Sequence, residues 1–192
     1  MALKNIPIYQ LEISMEDETS GVEYVALVDR PAIEKHFYAF DRQEPLAFKS
    51  TSEDKQIVSG PLMVPDFPIY RKDTGGEYYV QFSADSIYNI VKKFFKNQNT
   101  TNVNEMHRPE AKVDGVYMIE SFLIDRSRME APKGFEDLPD GSWFGSYKVD
   151  NPAVWQDIKQ GVFKGFSIEG MFIPESLTQA ALIAQIEAII AQ

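Results

Sequence analysis

Lys164-Gly165-Phe166-Ser167-Ile168-Glu169-Gly170-Met171-Phe172 is the stretch around which the chain is organised. Its alternation predicts a short strand, with Phe166, Ile168 and Phe172 on one face and Gly165, Ser167, Glu169 and Met171 on the other. A lone hydroxyl on an otherwise apolar strand, with a glycine on either side, leaves room for another backbone or a substrate to come close to Ser167. The same residues also fit a surface serine on an edge strand with two bulge glycines. What separates the two possibilities is a histidine far upstream, His107.

Working outward, Gly161 ends a short helix that Asn151 caps and Pro152 begins. Trp143 to Val149 reads as a strand. Residues 126–141 are charged and rich in proline and glycine, a long loop suited to act as a flap. Gly115 to Asp125 predicts a strongly apolar strand broken only by Glu120 and Ser121. A polar loop, Asn97 to Asn104, delivers Glu105-Met106-His107-Arg108-Pro109. Ser83 caps a predicted amphipathic helix over 84–97, whose stripe is Ile87, Ile90, Val91, Phe94 and Phe95.

Upstream of that helix, Asp73-Thr74-Gly75-Gly76 predicts the turn of a hairpin. Ile57 to Tyr70 carries Pro61, Pro65 and Pro68 and predicts an extended, bent segment rather than a central strand. Residues 41–56 lack periodicity and predict a mobile loop or linker. Residues 6–14 and Val22 to Val28 predict the first two strands, the second ended by Asp29-Arg30-Pro31. A third, short strand is expected at His36 to Phe40. Beyond Pro174, Glu175 to Gln192 predicts an amphipathic helix of small residues whose apolar face must be covered by the body or by another chain.

The chain has 192 residues, enough for one domain with a real core. With 44% hydrophobic and 25% charged residues it has the composition of a soluble globular protein. No apolar run is long enough for a membrane span, and the N-terminus lacks the segment of a signal peptide, so an intracellular protein is expected. There is no cysteine, which excludes disulfides and thiolate nucleophiles. A formal net charge of −10 without a basic block argues against nucleic acid or anionic lipid as a partner.

A serine hydroxyl becomes a nucleophile when an imidazole accepts its proton and a third group holds that imidazole in the right tautomer. The chain has two histidines, His36 and His107. His107, in a polar loop before a strand, is the better base; His36 has no glycine-flanked serine near it. For the third member Glu120 stands out, because a carboxylate within an apolar strand needs a partner. That partner could be an imidazolium, or equally Arg126, Arg128 or Lys148. Asp114 and Asp125 are weaker candidates. His107 with Glu105, Glu110 and Asp114 matches no familiar metal signature, so neither metal nor cofactor is expected.

Several of these segments, in order, resemble the XkdF-like phage serine proteases. They are Tyr-Val-Ala-Leu-Val-Asp-Arg-Pro-Ala-Ile (24–33), Val-Ser-Gly-Pro-Leu-Met-Val-Pro (58–65), Ile-Tyr-Arg (69–71) and Glu-Tyr-Tyr-Val-Gln-Phe-Ser (77–83). Met-His-Arg (106–108), Ile-Glu-Ser-Phe (119–122), Val-Asp-Asn-Pro (149–152) and Lys-Gly-Phe-Ser-Ile-Glu-Gly (164–170) complete the set. The serine stretch is not the nucleophile elbow of α/β hydrolases, which needs glycine two residues after the serine. The resemblance groups the chain with tailed-phage prohead proteases and herpesvirus assemblins.

It implies an α+β fold with a compact, mostly antiparallel, β-barrel-like core and flanking helices over residues 1–173. Residues 174–192 would follow as a C-terminal helix, an assembly element or a link to scaffold. It implies Ser167 as nucleophile and His107 as base, with Glu120 the orienting acid. The implied activity is a serine endopeptidase that trims scaffold and capsid-protein termini, and itself, inside the procapsid in the host cytoplasm. Its partners would be the scaffold and major capsid proteins and further copies of itself. The competing expectation is a non-catalytic capsid-interior or scaffold-associated protein on a protease-like fold. A small esterase of another kind is a third possibility that no motif supports.

Overall fold

A computed structural model describes residues 6–29, 49–52 and 55–174. The expected strand at 36–40, most of the expected linker at 41–56 and the expected C-terminal helix lie outside the described residues.

In chain order the elements are β1 (Ile8–Glu12), β2 (Gly21–Val28), β3 (Lys49–Ser52), β4 (Ile57–Met63), β5 (Ile69–Asp73) and β6 (Gly76–Gln81). Then come α1 (Ala84–Lys96), β7 (Val103–Glu105), β8 (Arg108–Lys112), β9 (Val116–Leu123), β10 (Trp143–Val149), α2 (Pro152–Lys159), β11 (Gly165–Met171) and β12 (Ile173–Pro174). The content is α+β with strands dominant, as expected. The strands form three four-stranded sheets, ordered β12-β1-β6-β5, β3-β4-β10-β9 and β11-β2-β7-β8.

The sheets do not close into a barrel, which corrects the barrel-like core implied above. Each sheet ends on strands bonded on one side only, so among the described residues no hydrogen-bonded ladder runs around a full circuit. The sheets are held together by side chains instead. One core gathers Val25 and Leu27 from β2, Leu62 from β4, Trp143 and Tyr147 from β10, and Phe166 from β11. Ile87, Ile90 and Phe94 of α1 and Trp155 of α2 complete it.

Local signals account for the elements that hold this core. Ser83 Oγ accepts from the Ser86 N–H (3.1 Å) at the start of α1, and Asn151 Oδ1 accepts from the Ala153 N–H (3.0 Å) at the start of α2. Gly161 follows α2 at φ +74°, a helix stop that favours glycine. The β5–β6 hairpin closes with Asp73 opposite Gly76, as the turn chemistry predicts. Lys93, on the buried side of α1, is only 5% exposed, and its ammonium donates to the carbonyls of Ser14 and Asp17. This ties the acidic turn after β1 to the helix.

Two expectations fail for reasons of neighbourhood. Ile57–Met63 is an inner strand despite Pro61, because β3 pairs only with Ile57 to Ser59. Among the described residues Pro61 pairs only with Phe144 of β10, where the ladder also shifts register, an irregularity that accommodates a residue without an N–H. The loop over 126–141 is also no free flap. Arg126 donates to Asp140 Oδ1 (2.7 Å) and to the carbonyls of Glu136 and Leu138. Phe135 and Leu138 are buried in a second, smaller core with Phe67, Ile124 and Phe144.

Candidate active site

The serine strand is β11, the last strand of its sheet, paired antiparallel to β2 with Ser167 opposite Ala26 and Glu169 opposite Tyr24. Phe166 faces the core, its ring 4.9 Å from that of Tyr147, and Ile168 packs against the same cluster. The alternation therefore puts Ser167 and Glu169 together on the opposite face. Between Glu169 and Gly170 the ladder slips by one residue. A Cβ at Gly170 would meet the Gly21 carbonyl oxygen at 1.9 Å, so the slip brings two backbones as close as only glycine permits.

On its other edge β2 pairs in parallel with β7, Ala26 opposite Asn104 and Leu27 opposite Glu105. Ser167, Ala26 and Asn104 thus form one row across three strands. Directly after β7 the chain reverses through Met106-His107, with Glu105 paired to Arg108. Both turn residues have positive φ, +50° and +55°, the sign that a two-residue type I′ hairpin demands and that Asn-Gly usually supplies. For residues with a Cβ this conformation costs about 1–2 kcal/mol each. The Met106 N–H donates to the Leu27 carbonyl (3.0 Å), which pins the strained turn to β2. Such strain is characteristic of functional turns, and here it presents an imidazole.

The imidazole of His107 lies over the serine face. Its Nδ1 is 3.5 Å from Glu169 Oε2, and the same oxygen accepts from Asn104 Nδ2 at 2.9 Å. His107 is 44% and Glu169 27% exposed at the side chain, so the pair lies at the boundary between solvent and interior. Ser167 is buried, 5% exposed. At 3.5 Å the imidazole–carboxylate contact is longer than a tight hydrogen bond.

Of the three residues singled out from sequence, the sheet brings Ser167 and His107 to one face and leaves Glu120 elsewhere. Glu120 sits exposed on β9 of a different sheet, opposite Ser146 of β10. No ion pair or hydrogen bond joins it to His107 among the described residues. Its supposed need of a partner disappears because β9 is the outer strand of its sheet and the carboxylate is in water. The cations weighed as its partners are engaged elsewhere, Arg126 with Asp140, Arg128 with Asp125 and Lys148 with Asp150.

The carboxylate that sequence reasoning passed over, and that the structure places at His107, is Glu169. Its signal was present, since period two already placed it on the face of Ser167. Asn104, read as the end of a polar loop, is a buried strand residue. Among the described residues no group of three or more His, Asp or Glu side chains is placed to hold a metal ion.

A nucleophile, an imidazole and a carboxylate that can orient it are the elements of acyl transfer to serine. The family model described as "Putative phage serine protease XkdF" matches residues 45–173, a stretch that contains His107, Ser167 and Glu169. No curated protein and no solved structure matches the chain.

Proposed function

This chain belongs to the XkdF family of phage serine proteases, and we propose that it is the endopeptidase of prohead maturation, with Ser167 as nucleophile, His107 as general base and Glu169 as the orienting acid. The observation that carries this reading is the contact between Glu169 Oε2 and His107 Nδ1 on the face that bears Ser167. A carboxylate at Nδ1 favours the tautomer with the proton on that nitrogen and leaves Nε2 free to accept.

In the first step Ser167 Oγ bonds to the scissile carbonyl carbon and its proton passes to His107 Nε2. The carbonyl π pair moves onto oxygen. Collapse of this adduct breaks the C–N bond, and His107 returns the proton to the leaving amine. Water then repeats the sequence on the acyl-enzyme and frees Ser167. Backbone N–H groups near Gly165 or Ile168 are the candidates to hold the oxyanion. The substrates proposed are the termini of scaffold and major capsid proteins, and this chain itself, within the procapsid of the infected cell, where further copies of the chain would gather.

The burial of Ser167 favours a second reading, a capsid-interior protein that keeps the fold without cutting. Co-expression with the phage's capsid and scaffold proteins, wild type beside Ser167→Ala, separates them by intact-mass spectrometry. Defined truncations that vanish in the alanine variant support the protease. Assembled shells with uncut partners in both preparations support the non-catalytic protein.

A further inference from the structure

Asn104 occupies a position that fold stability alone would give to an apolar residue. It is fully buried on β7, beside the buried Val103 and between strands β2 and β8. Its Nδ2 donates to Glu169 Oε2, while its Oδ1 is buried with no hydrogen-bond partner. An orphaned buried acceptor costs about 1–3 kcal/mol. The amide cannot improve its lot by flipping, because that would set its carbonyl oxygen against the carboxylate. The orientation is therefore dictated by Glu169, not by the local packing.

The row across the sheet explains how the two meet. Ala26 stands between Ser167 and Asn104, and with only a methyl group it leaves the space over β2 open. Through that space the Glu169 side chain reaches from β11 toward β7 and the hairpin that follows it. There one carboxylate oxygen serves both Asn104 Nδ2 at 2.9 Å and His107 Nδ1 at 3.5 Å. A partly exposed carboxylate without a fixed donor would rotate freely into water. With one oxygen held by a rigid, buried amide, it has one position.

We propose that Asn104 is a positioning residue that locks the Glu169 carboxylate against His107 Nδ1 and thereby sets the imidazole tautomer. The proposal rests on the reading of His107 as the general base, and its test has a readout that does not need cleavage. The chain has two histidines, so nitrogen-15 spectra of these 192 residues at about pH 8 contain two imidazoles, and His107→Gln identifies one of them. Wild-type His107 is expected to carry its proton on Nδ1. In Asn104→Ala it is expected to shift toward the Nε2–H form that free histidine prefers. Cleavage by that variant should lose about 10- to 100-fold in kcat with KM unchanged, the scale of a lost orienting contact.

Asn104→Ser, shorter and still able to donate, should recover part of both, and it carries the comparison if the alanine variant does not fold. A wild-type imidazole already protonated on Nε2 overturns the proposal whatever the variants do. So does a folded Asn104→Ala with parental tautomer and parental kcat. Failure of the protease reading looks different: partners would stay uncut in wild type, or be cut equally by Ser167→Ala, while the tautomer shift in Asn104→Ala remained.

Discussion

Glu169 follows Ser167 by two residues on one strand, and its carboxylate reaches His107 from the turn after a strand two places away in the same sheet. The proposed nucleophile and the proposed acid thus share an element, and only the proposed base arrives from another. If the acid is Glu169, then Glu169→Gln should lower kcat by about 100- to 10,000-fold, since an amide cannot enforce the base tautomer. Glu120→Gln should cleave at the parental rate. Single-turnover cleavage of a capsid-protein terminus by the two variants decides between the carboxylates. Loss in Glu120→Gln alone would restore it as the acid.

The strained turn makes a second prediction with opposite signs for activity and stability. His107→Gly should abolish cleavage and raise the melting temperature. Glycine removes most of the 1–2 kcal/mol cost at φ +55°, less its own entropy in the unfolded chain. A net gain of about 0.5–1 kcal/mol corresponds to roughly 1–4 °C for a chain of this size. Calorimetry showing a lower melting temperature would mean that the turn is not strained.

Gly170 should tolerate no side chain. The 1.9 Å approach of a Cβ to the Gly21 carbonyl involves backbone on both sides, which cannot rotate away. Gly170→Ala is expected to cost about 3 kcal/mol or more, beyond ordinary overpacking, and to reduce soluble yield. Urea denaturation of any soluble fraction measures it.

Acid sensitivity should have a traceable source. Asp150 receives Lys148 Nζ at 2.7 Å and the Tyr117 hydroxyl at 3.0 Å, and these hydrogen bonds hold its carboxyl below the ordinary value of 3.8. A depressed folded-state value stabilises above the unfolded one and is lost as pH falls through the folded one. The melting temperature of wild type should therefore decline below about pH 4. In Asp150→Asn part of that decline should be missing, with a lower plateau near neutrality. Identical slopes in both proteins would remove Asp150 from the account.

What the sequence disclosed was what is decided locally. Ser83 and Asn151 announced their helices, Asp73 to Gly76 its hairpin, and the alternation around Ser167 its faces. What it concealed depends on which strand lies beside which. Pro61 looked like the mark of an extended, bent segment rather than a central strand, because nothing in Ile57–Met63 reveals that β10 shifts register beside it. Glu120 looked buried because its own strand is apolar, while the sheet order that leaves β9 in water is written elsewhere. Asn104 looked like loop because three-residue β7 is strand only through its neighbours β2 and β8. The family resemblance pointed to Ser167 and His107, whereas the proposed acid, Glu169, is read from the register.

Lys93 has a consequence for chemical reactivity. An amine reacts with acylating reagents only when it is deprotonated and accessible, and here it is enclosed with its protons directed at the carbonyls of Ser14 and Asp17. Exposed lysines such as Lys92 and Lys96, on the same helix, should be modified promptly by an acylating reagent. Lys93 should react only when α1 lifts from the turn after β1. Its labelling rate, read peptide by peptide, would clock the opening of one corner of the protein, with its neighbours in the chain as internal standards.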